Sequence, residues 1–247
     1  MFVKERQRLI LEYLEKRPDI KIKELAELLH VSEPTIRRDY TELHNRGIIT
    51  KIYGGAILNK GAPDKEIPFL LRANEKSVPK AIIGRKAANL VSDGMVIMLD
   101  GSTSAYHIVP YLSQLKDLIV ITSGAKTAVA LAEANINTYC TGGYMLIHSF
   151  SYVGEPAEKF IQGLNADILF FSCHGLDERG MMSDPAKDES NLRKAMFNSC
   201  AKKYLLCDSS KFGKTYLHNI GNVKDIDGII SEKELPENIA KLLRKKT

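Results

Sequence analysis

Residues 95–104 read MVIMLDGSTS, an apolar run from Met95 to Leu99 followed by an aspartate, a glycine and three hydroxyl residues. A short apolar run closed by turn-forming residues predicts a buried strand. Helical stretches separate this run from others like it, and the first such stretch extends from Lys80 to Val91. Apolar strands that alternate with helices predict parallel βαβ units whose sheet is covered on both faces. The other predicted strands lie at residues 118–121, 137–140, 168–172, 204–207 and 226–230.

The first 60 residues have a different pattern, with apolar side chains at helical spacing in three short segments. The third segment begins after Ser32, which can cap a helix that carries Pro34 in its first turn. The run from Ile48 to Tyr53 is rich in β-forming residues and is closed by two glycines. Three helices followed by a β-wing predict a winged helix-turn-helix. The apolar positions of the three segments are Leu9, Ile10, Tyr13 and Leu14, then Leu25, Ala26, Leu28 and Leu29, then Ile36, Tyr40 and Leu43.

The fold class predicted from these patterns is α/β, with an N-terminal winged helix-turn-helix domain followed by a Rossmann-like α/β domain that has a largely parallel sheet. We place the DNA-binding domain at residues 1–56, a linker at 57–79 and the effector-binding domain at 80–247. The linker contains Pro63, Pro68 and Pro79, and a short helix is expected within it at residues 69–74.

Composition limits the class of protein. The chain has 247 residues, 44% of them hydrophobic and 26% charged, which is typical of a globular protein and excludes disorder. No run of about 18 apolar residues occurs, and the N-terminus is charged where a signal peptide would be apolar. The four cysteines form no Cys-x-x-Cys pair, so we expect reduced core residues. A cytoplasmic protein with no membrane partner is expected.

Charge and helix position together indicate DNA. The net charge is +5, and residues 1–60 contain 12 Lys and Arg against 9 Asp and Glu. In helix-turn-helix proteins the start of the third helix enters the major groove. Arg38 is suited to bidentate bonding with guanine, and Arg37 and Lys51 to phosphate. The alternative is a solvated basic turn. The candidate DNA-binding residues are Ser32, Thr35, Arg37, Arg38, Lys51 and Tyr53.

Small and hydroxyl residues follow nearly every predicted strand of the second domain. In an open parallel sheet the carboxyl ends of the strands form the ligand crevice, so these loops can converge on one ligand. Glycine and hydroxyls ahead of a helical stretch suit a phosphate, and Lys211 and Lys126 can add positive charge. Asp100, Asp208 and Glu189 can accept hydrogen bonds from sugar hydroxyls. The alternative is that βα loops are small and polar because they turn tightly and cap helices. The candidate effector-binding residues are Asp100, Gly101, Ser102, Thr103, Ser104, Thr122, Ser123, Gly142, Gly143, Gly175, Glu189, Asp208 and Lys211.

Other site types have little support in the sequence. Walker-type loops and Gly-x-Gly-x-x-Gly are absent. His174 beside Cys173 has no second ligand pair at metal-binding spacing, so a loop or core role is favoured over a metal or a nucleophile. We therefore expect no metal and no cofactor.

The motifs taken together resemble the DeoR family of bacterial transcriptional regulators across almost the whole chain. The N-terminal resemblance lies in Glu24-Leu25-Ala26, Val31-Ser32, Thr35-Ile36-Arg37-Arg38-Asp39 and Tyr53-Gly54-Gly55-Ala56. In the second domain it lies in Asp100-Gly101-Ser102-Thr103-Ser104, Gly142-Gly143, Gly154, Gly175, Glu189 and Asp208-Ser209-Ser210-Lys211. The resemblance implies repression of a sugar-catabolism operon, with a phosphorylated sugar as inducer.

The effector domain of that family in turn resembles ribose-5-phosphate isomerase. This resemblance implies that Ser102, Thr103 and Ser104 bind phosphate with Lys211, and that Glu189 stands where the isomerase has its catalytic carboxylate. Two departures are present. Arg179-Gly180-Met181-Met182 lacks the isomerase's lysine, which argues against catalysis, and Thr122-Ser123-Gly124 lacks an asparagine that relatives often have.

The leading hypothesis is a repressor, not an enzyme, whose affinity for DNA is controlled by a phosphorylated sugar. Its expected partners are a palindromic or repeated double-stranded operator and a second copy of the chain, in a homodimer or homotetramer. One alternative is a sugar-phosphate isomerase with an accessory DNA-binding domain, which would use Asp100, Glu189 and Lys211 for proton transfer. The third hypothesis is a structural nucleoid protein. It ranks last, because such a protein has no need for the hydroxyl-rich loops.

Overall fold

The computed structural model describes residues 2–17, 19–45, 48–58, 69–74 and 76–244. The chain divides into two compact units, and the boundary lies between Leu71 and Arg72. The proline-containing part of the predicted linker, residues 59–68, lies outside the described residues, as does residue 75.

The first unit has three helices and a β-hairpin, as the sequence predicts. The helices are α1 (Val3–Lys16), α2 (Ile22–Leu28) and α3 (Glu33–Asn45), and the hairpin pairs β1 (Ile49–Ile52) with β2 (Gly55–Leu58) antiparallel. Gly54 adopts φ +78 in the turn, a conformation that favours glycine. Ile36, Tyr40 and Leu43 of α3 are buried in the core, which leaves the opposite face of this helix to solvent.

A buried ion pair joins α1 to α3. Arg6 donates to Asp39 through Nε at 2.5 Å and through Nη2 at 3.1 Å, and both side chains are buried. The hydrogen bond to Asp39 raises the pKa of Arg6. The ion pair therefore fixes the position of α3 through Asp39. Arg37 and Arg38, which precede Asp39 in the sequence, face outward.

We predict that Asp39→Ala lowers the free energy of unfolding of the first unit by about 3 kcal/mol, because Arg6 is left as a buried unpaired charge. Urea titration followed by far-UV circular dichroism measures the effect. The matched control is Glu24→Ala, which breaks the exposed Arg17–Glu24 pair and should cost at most about 1 kcal/mol. Equal losses in the two variants would contradict a structural role for the buried pair.

The second unit is built on a six-stranded parallel sheet with the strand order β13-β11-β8-β3-β4-β5. A three-stranded antiparallel sheet, β12-β10-β9, and the hairpin β6-β7 complete it. Helix α4 (Phe69–Asn74) spans the unit boundary. The remaining elements are α5 (Ser77–Ala88), β3 (Val96–Leu99), α6 (Thr103–Tyr106), β4 (Ile119–Thr122), α7 (Ala125–Glu133), β5 (Asn137–Cys140), β6 (Tyr144–Leu146), β7 (Ser151–Val153), α8 (Glu155–Gln162), β8 (Ala166–Phe171), β9 (Gly175–Leu176), β10 (Met181–Asp184), α9 (Lys187–Asn198), β11 (Cys200–Leu206), β12 (His218–Asn222), β13 (Gly228–Ile230) and α10 (Glu237–Arg244).

Both faces of the parallel sheet are covered, as its continuous apolar strands predict. In β3, Met98 belongs to one buried cluster while Ile97 and Leu99 belong to another. In β8, Leu169 and Phe170 divide between the same two clusters, because successive side chains of a strand point to opposite faces. The polar loops therefore follow the carboxyl ends of strands whose side chains are packed on both faces of the sheet.

All six predicted strands form the parallel sheet, and the short helix at residues 69–74 is confirmed. Three expectations need correction. Helix α5 begins at Ser77, so Pro79 lies in its first turn, where a missing N–H is tolerated. Helix α6 begins at Thr103, so Thr103 and Ser104 lie inside it, and it has only four residues, so its dipole is small. Cysteines 173 and 207 are buried, but Cys140 is exposed on the edge strand β5.

None of the described helices is long and apolar enough to span a bilayer.

Candidate functional site

The outward face of α3 carries the predicted recognition residues. Arg38 is exposed and forms no ion pair with any described residue. Arg37 is also exposed, and its Nη2 lies 3.3 Å from Oε2 of Glu33 one turn earlier. The hydroxyls of Ser32 and Thr35 lie 2.9 Å apart at the start of the helix. Because the inward face is apolar and Asp39 is held by Arg6, Arg38 is presented to solvent without a competing carboxylate.

The wing adds a second cation to the same surface. Lys51 Nζ donates to Thr41 Oγ1 at 3.2 Å, and the Thr41 hydroxyl donates to the Arg37 carbonyl at 2.9 Å. Tyr53 is fully exposed in the turn between β1 and β2. The structure therefore brings Arg37, Lys51 and the exposed face of α3 together on one surface of the first unit.

Asp100 is the centre of the second candidate site, at the carboxyl edge of the parallel sheet. Its Oδ1 accepts the backbone N–H of Ser102 at 3.1 Å. Its Oδ2 accepts the backbone N–H of Ser172 at 3.1 Å and Nε–H of Arg193 at 2.8 Å. This carboxylate joins the loop after β3 to the loop after β8, which is the neighbouring strand.

Arg193 on α9 holds three carboxylates together. It is fully buried, pairs with Asp100 and Asp184, and lies 4.0 Å from Oε2 of Glu189 one turn earlier. Burial by itself would raise the pKa of Asp184, but the charge of Arg193 and the hydrogen bonds from His174 outweigh it and lower that pKa to about 2. Asp184 and Arg193 are therefore both charged at neutral pH, and their pairing helps to fix the positions of the loops around them.

The pKa of Asp184 predicts an acid-sensitive fold. Because the folded value of about 2 lies below the ordinary value of 3.8, the stabilisation is complete above pH 4 and is lost as the pH falls toward 2. We expect about 2 kcal/mol to be lost over this range from Asp184. Urea unfolding at pH 5 and at pH 2.5 measures it, and an unfolding free energy that does not fall between these values would contradict the assignment.

A small cavity opens beside this network, and four predicted residues line it: Asp100, Gly101, Ser123 and Glu189. Glu189 Oε2 and Ser104 Oγ are buried and have no hydrogen-bond partner in the structure. Buried polar atoms without partners are rare in folded proteins and mark positions where a ligand or water completes the bonding. The other lining residues are Ser151, Val153, Leu192, Arg193 and Met196.

Asp208 and Lys211 form a second cluster at the end of β11. Lys211 Nζ donates to Ser172 Oγ at 2.6 Å and lies 3.6 Å from Asp208 Oδ2. Lys76 Nζ lies 3.9 Å from the other oxygen of Asp208. Burial raises the pKa of Asp208, but Lys211, Ser210 and Lys76 together bring it below the ordinary value. Since Ser172 also bonds Asp100, the two clusters are continuous.

Several predicted residues make local contacts that stabilise the described part of the chain. Ser102 caps α6 by accepting the Ala105 N–H at 3.1 Å, and Thr103 accepts Nδ1–H of His107 through its carbonyl at 2.7 Å. Thr122 Oγ1 accepts the Gly124 N–H at 3.1 Å. Lys126 Nζ lies 5.0 Å from the ring centroid of Phe150.

Three of the predicted glycines are required by packing. A Cβ on Gly101 would lie 1.8 Å from Ser151 Oγ, on Gly143 2.5 Å from the Val153 carbonyl oxygen, and on Gly175 2.5 Å from the Lys214 carbonyl oxygen. Gly142 has φ +64 and open space around it.

Sequence reasoning missed three polar residues of this site: Ser151, Asp184 and Arg193. A local signal existed only for Arg193, which follows Glu189 by four residues on α9 and so shares its face. His174 was assigned a loop or core role, yet its Nδ1 lies 2.6 Å from Asp184 Oδ1 inside the network. Among the described residues no group of His, Cys, Asp and Glu is arranged to hold a metal ion.

A winged helix-turn-helix followed by an α/β domain is the organisation of a class of transcriptional regulators. Comparison with known proteins gives the family. Residues 6–62 match the DeoR-like helix-turn-helix domain, and residues 75–233 match the DeoR C-terminal sensor domain. The chain belongs to the DeoR family of transcriptional regulators.

Three similar proteins match over nearly the whole of this chain and of their own length. An uncharacterized HTH-type transcriptional regulator of Bacillus subtilis, YulB, is 33% identical over 100% of this chain and 95% of its own length. The L-fucose operon activator of Haemophilus influenzae is 30% identical over 96% of this chain and 94% of its own. A putative aga operon transcriptional repressor of Escherichia coli O157:H7 is 31% identical over 98% and 90%. These relatives are regulators, and the chain is therefore not assigned an enzymatic activity.

Solved structures bear on the fold of the second unit. The chain resembles eIF2B delta from Chaetomium thermophilum with a TM-score of 0.50 and 19% identity, over 67% of this chain and 60% of that one. Ribose 5-phosphate isomerase A from Methanocaldococcus jannaschii matches with a TM-score of 0.41 and 17% identity, over 54% and 53%. At these identities the first likeness concerns the fold alone, and the second is too weak to bear on function.

Proposed function

We propose that this regulator controls a sugar-utilisation operon, as a repressor, and that a phosphorylated sugar bound in the second unit sets its affinity for DNA. The observation that carries the proposal is the convergence of strand-end loops on one cavity, which is lined by Glu189, whose buried Oε2 makes no hydrogen bond. Relatives named for an L-fucose operon and a lactose phosphotransferase system support the sugar assignment.

The chemistry of the site suits a phosphorylated sugar. Asp100 and Glu189 line the cavity, and their carboxylates can accept hydrogen bonds from sugar hydroxyls. Lys211 and the hydroxyl residues of the loop after β3 can meet a phosphate. A purely apolar ligand would leave these buried polar groups unpaired, at a cost of about 1–3 kcal/mol each.

The proposal is tested by thermal-shift measurements on the full chain with a panel of sugar phosphates and the corresponding free sugars. A ligand that binds only the folded state adds about 2.7 kcal/mol of stability at 100 times its Kd. We expect at least one phosphorylated sugar to raise the melting temperature while its unphosphorylated form does not. A panel in which free sugars stabilise as well as their phosphates would exclude phosphate recognition.

Ser102→Asp is predicted to abolish the response to the sugar phosphate. Aspartate caps a helix as well as serine does, so α6 retains its cap, but its negative charge repels a phosphate at the loop. Ser102→Asn is the matched control, because it keeps a neutral capping side chain of the same size as aspartate. The melting-temperature rise should vanish in the aspartate variant and persist in the asparagine variant; a normal rise in both would place the phosphate elsewhere.

A further inference from the structure

Arg72 lies on α4 at the start of the second unit and was not among the predicted site residues. Its Nη1 lies 3.4 Å from Nε2 of His174. Arginine only donates hydrogen bonds, so His174 Nε2 accepts and the ring proton lies on Nδ1. That nitrogen donates to Asp184 Oδ1 at 2.6 Å, and the His174 backbone N–H donates to the same oxygen at 2.8 Å. One end of the Arg72 guanidinium is therefore anchored to the buried carboxylate network.

The opposite edge of the guanidinium has no partner. Nε and Nη2 of Arg72 are buried and make no hydrogen bond. These two nitrogens direct their N–H bonds in parallel, which is the geometry that binds two oxygens of one anion. In two other arginines of this chain, Nε and Nη2 donate to a carboxylate. Arg6 donates to Asp39 in this way, and Arg179 donates to Asp177 at 3.0 and 2.9 Å. Among the described residues no carboxylate fills it for Arg72.

The surroundings of Arg72 are rich in positive charge. Lys76 and Lys211 share one carboxylate, Asp208. Lys80 donates to the Arg72 carbonyl oxygen, which ties α4 to α5. Lys211 also contacts Ser172, two residues before His174. A buried guanidinium without a counter-charge is unfavourable, and an anionic ligand removes the penalty.

We infer that the free Nε–Nη2 edge of Arg72 binds the phosphate group of the effector. This inference rests on the proposed function and deepens it by naming the residue that recognises the anion. Arg72 joins the loops after β3 and β8, which are neighbouring strands, in holding the ligand. Because Arg72 is the first residue of the second unit, the ligand restrains the chain at the unit boundary. Ligand binding can then affect the DNA-binding residues through the covalent connection between the two units.

The test uses the full chain and inorganic phosphate as the probe, titrated at constant ionic strength while the melting temperature is recorded. Arg72→Lys keeps the charge but removes the parallel edge, and Arg85→Lys is the matched control on an exposed position of α5. We expect Arg72→Lys to need at least about 10 times more phosphate for the same rise, because it loses a bidentate charge-assisted pair. Arg85→Lys should match the wild type. Arg72→Gln repeats the comparison if the lysine variant does not fold.

A spectroscopic readout separates binding from a structural effect. Phosphate should shift one arginine Nε–H signal in the ¹⁵N spectra of the wild type and of Arg85→Lys, and that signal should be missing in Arg72→Lys. Equal phosphate dependence in Arg72→Lys and the wild type would overturn the inference and leave the proposed function standing. Stabilisation by acetate in place of phosphate would overturn the assignment to a phosphate. If neither phosphate nor any phosphorylated sugar stabilises the wild type, the result contradicts the proposed function. The inference about Arg72 is then contradicted as well, because it rests on that function.

Discussion

Arg38→Ala is expected to abolish the preference of the protein for its operator over an unrelated duplex. Arg38 is exposed on the outward face of α3 and has no carboxylate partner among the described residues, so its guanidinium is available for bidentate bonding to a guanine. Each such contact contributes about 1–3 kcal/mol of discrimination between the correct and an incorrect base pair. Fluorescence anisotropy with a duplex selected from a random pool measures the ratio of specific to non-specific Kd.

Lys51→Ala is the matched control for Arg38→Ala. Lys51 lies beside α3 through Thr41 and can reach a phosphate, so its removal should weaken all duplexes about equally and reduce the salt slope by about 1. A footprint on the selected duplex that is unchanged in Arg38→Ala would contradict the assignment of α3 as the recognition helix.

Arg193→Met is expected to lower the free energy of unfolding of the second unit by about 3–5 kcal/mol. The substitution preserves much of the apolar volume but removes the cation that pairs with buried Asp100 and Asp184 and lies near Glu189. Breaking a buried pair from one side leaves uncompensated buried charge, which is the source of the large cost. Urea unfolding at neutral pH measures the change.

The control for Arg193→Met is Arg179→Met. Arg179 also pairs with a carboxylate, Asp177, but its side chain is 83% exposed. A pair of this kind contributes about 0–1 kcal/mol. If the two methionine variants lose similar stability, Arg193 is not the centre of the buried network.

The main architecture could be predicted because its signals are local. Five of the six strands of the parallel sheet contain apolar runs, and the helices of the first unit place Ile10, Ile36 and Leu43 at helical spacing. The sixth strand, β5, reads NTYC and is largely exposed at the edge of the sheet, so the expectation that it is buried is wrong. The antiparallel strands of the second unit were missed because most of them lack long apolar runs. Strand β12 reads HNIGN, and β6 exposes Tyr144 and Met145 to solvent. Strands of this kind are fixed by their partners in the fold and not by their own composition.

The loops of the candidate site were predicted, but the groups that organise them were not. Asp100 and Lys211 follow strands, so the rule that ligands bind at the carboxyl edge of a parallel sheet identifies them. Arg193 contacts Asp100 across 93 positions of sequence, and Arg72 contacts His174 across 102. No spacing rule links residues so far apart, because the fold alone brings them together. Gly101 was predicted as a ligand-binding residue, but its close packing against Ser151 is enough to explain why a glycine occupies this position.

In the proposed mechanism, one ligand bound in the second unit changes the affinity of the protein for DNA. The most direct measurement is the Kd of the full chain for its selected duplex, with and without a saturating concentration of the sugar phosphate that raises the melting temperature. We predict a change of roughly 5- to 150-fold, corresponding to a coupling free energy of about 1–3 kcal/mol. An unchanged Kd at saturating ligand would contradict the claim.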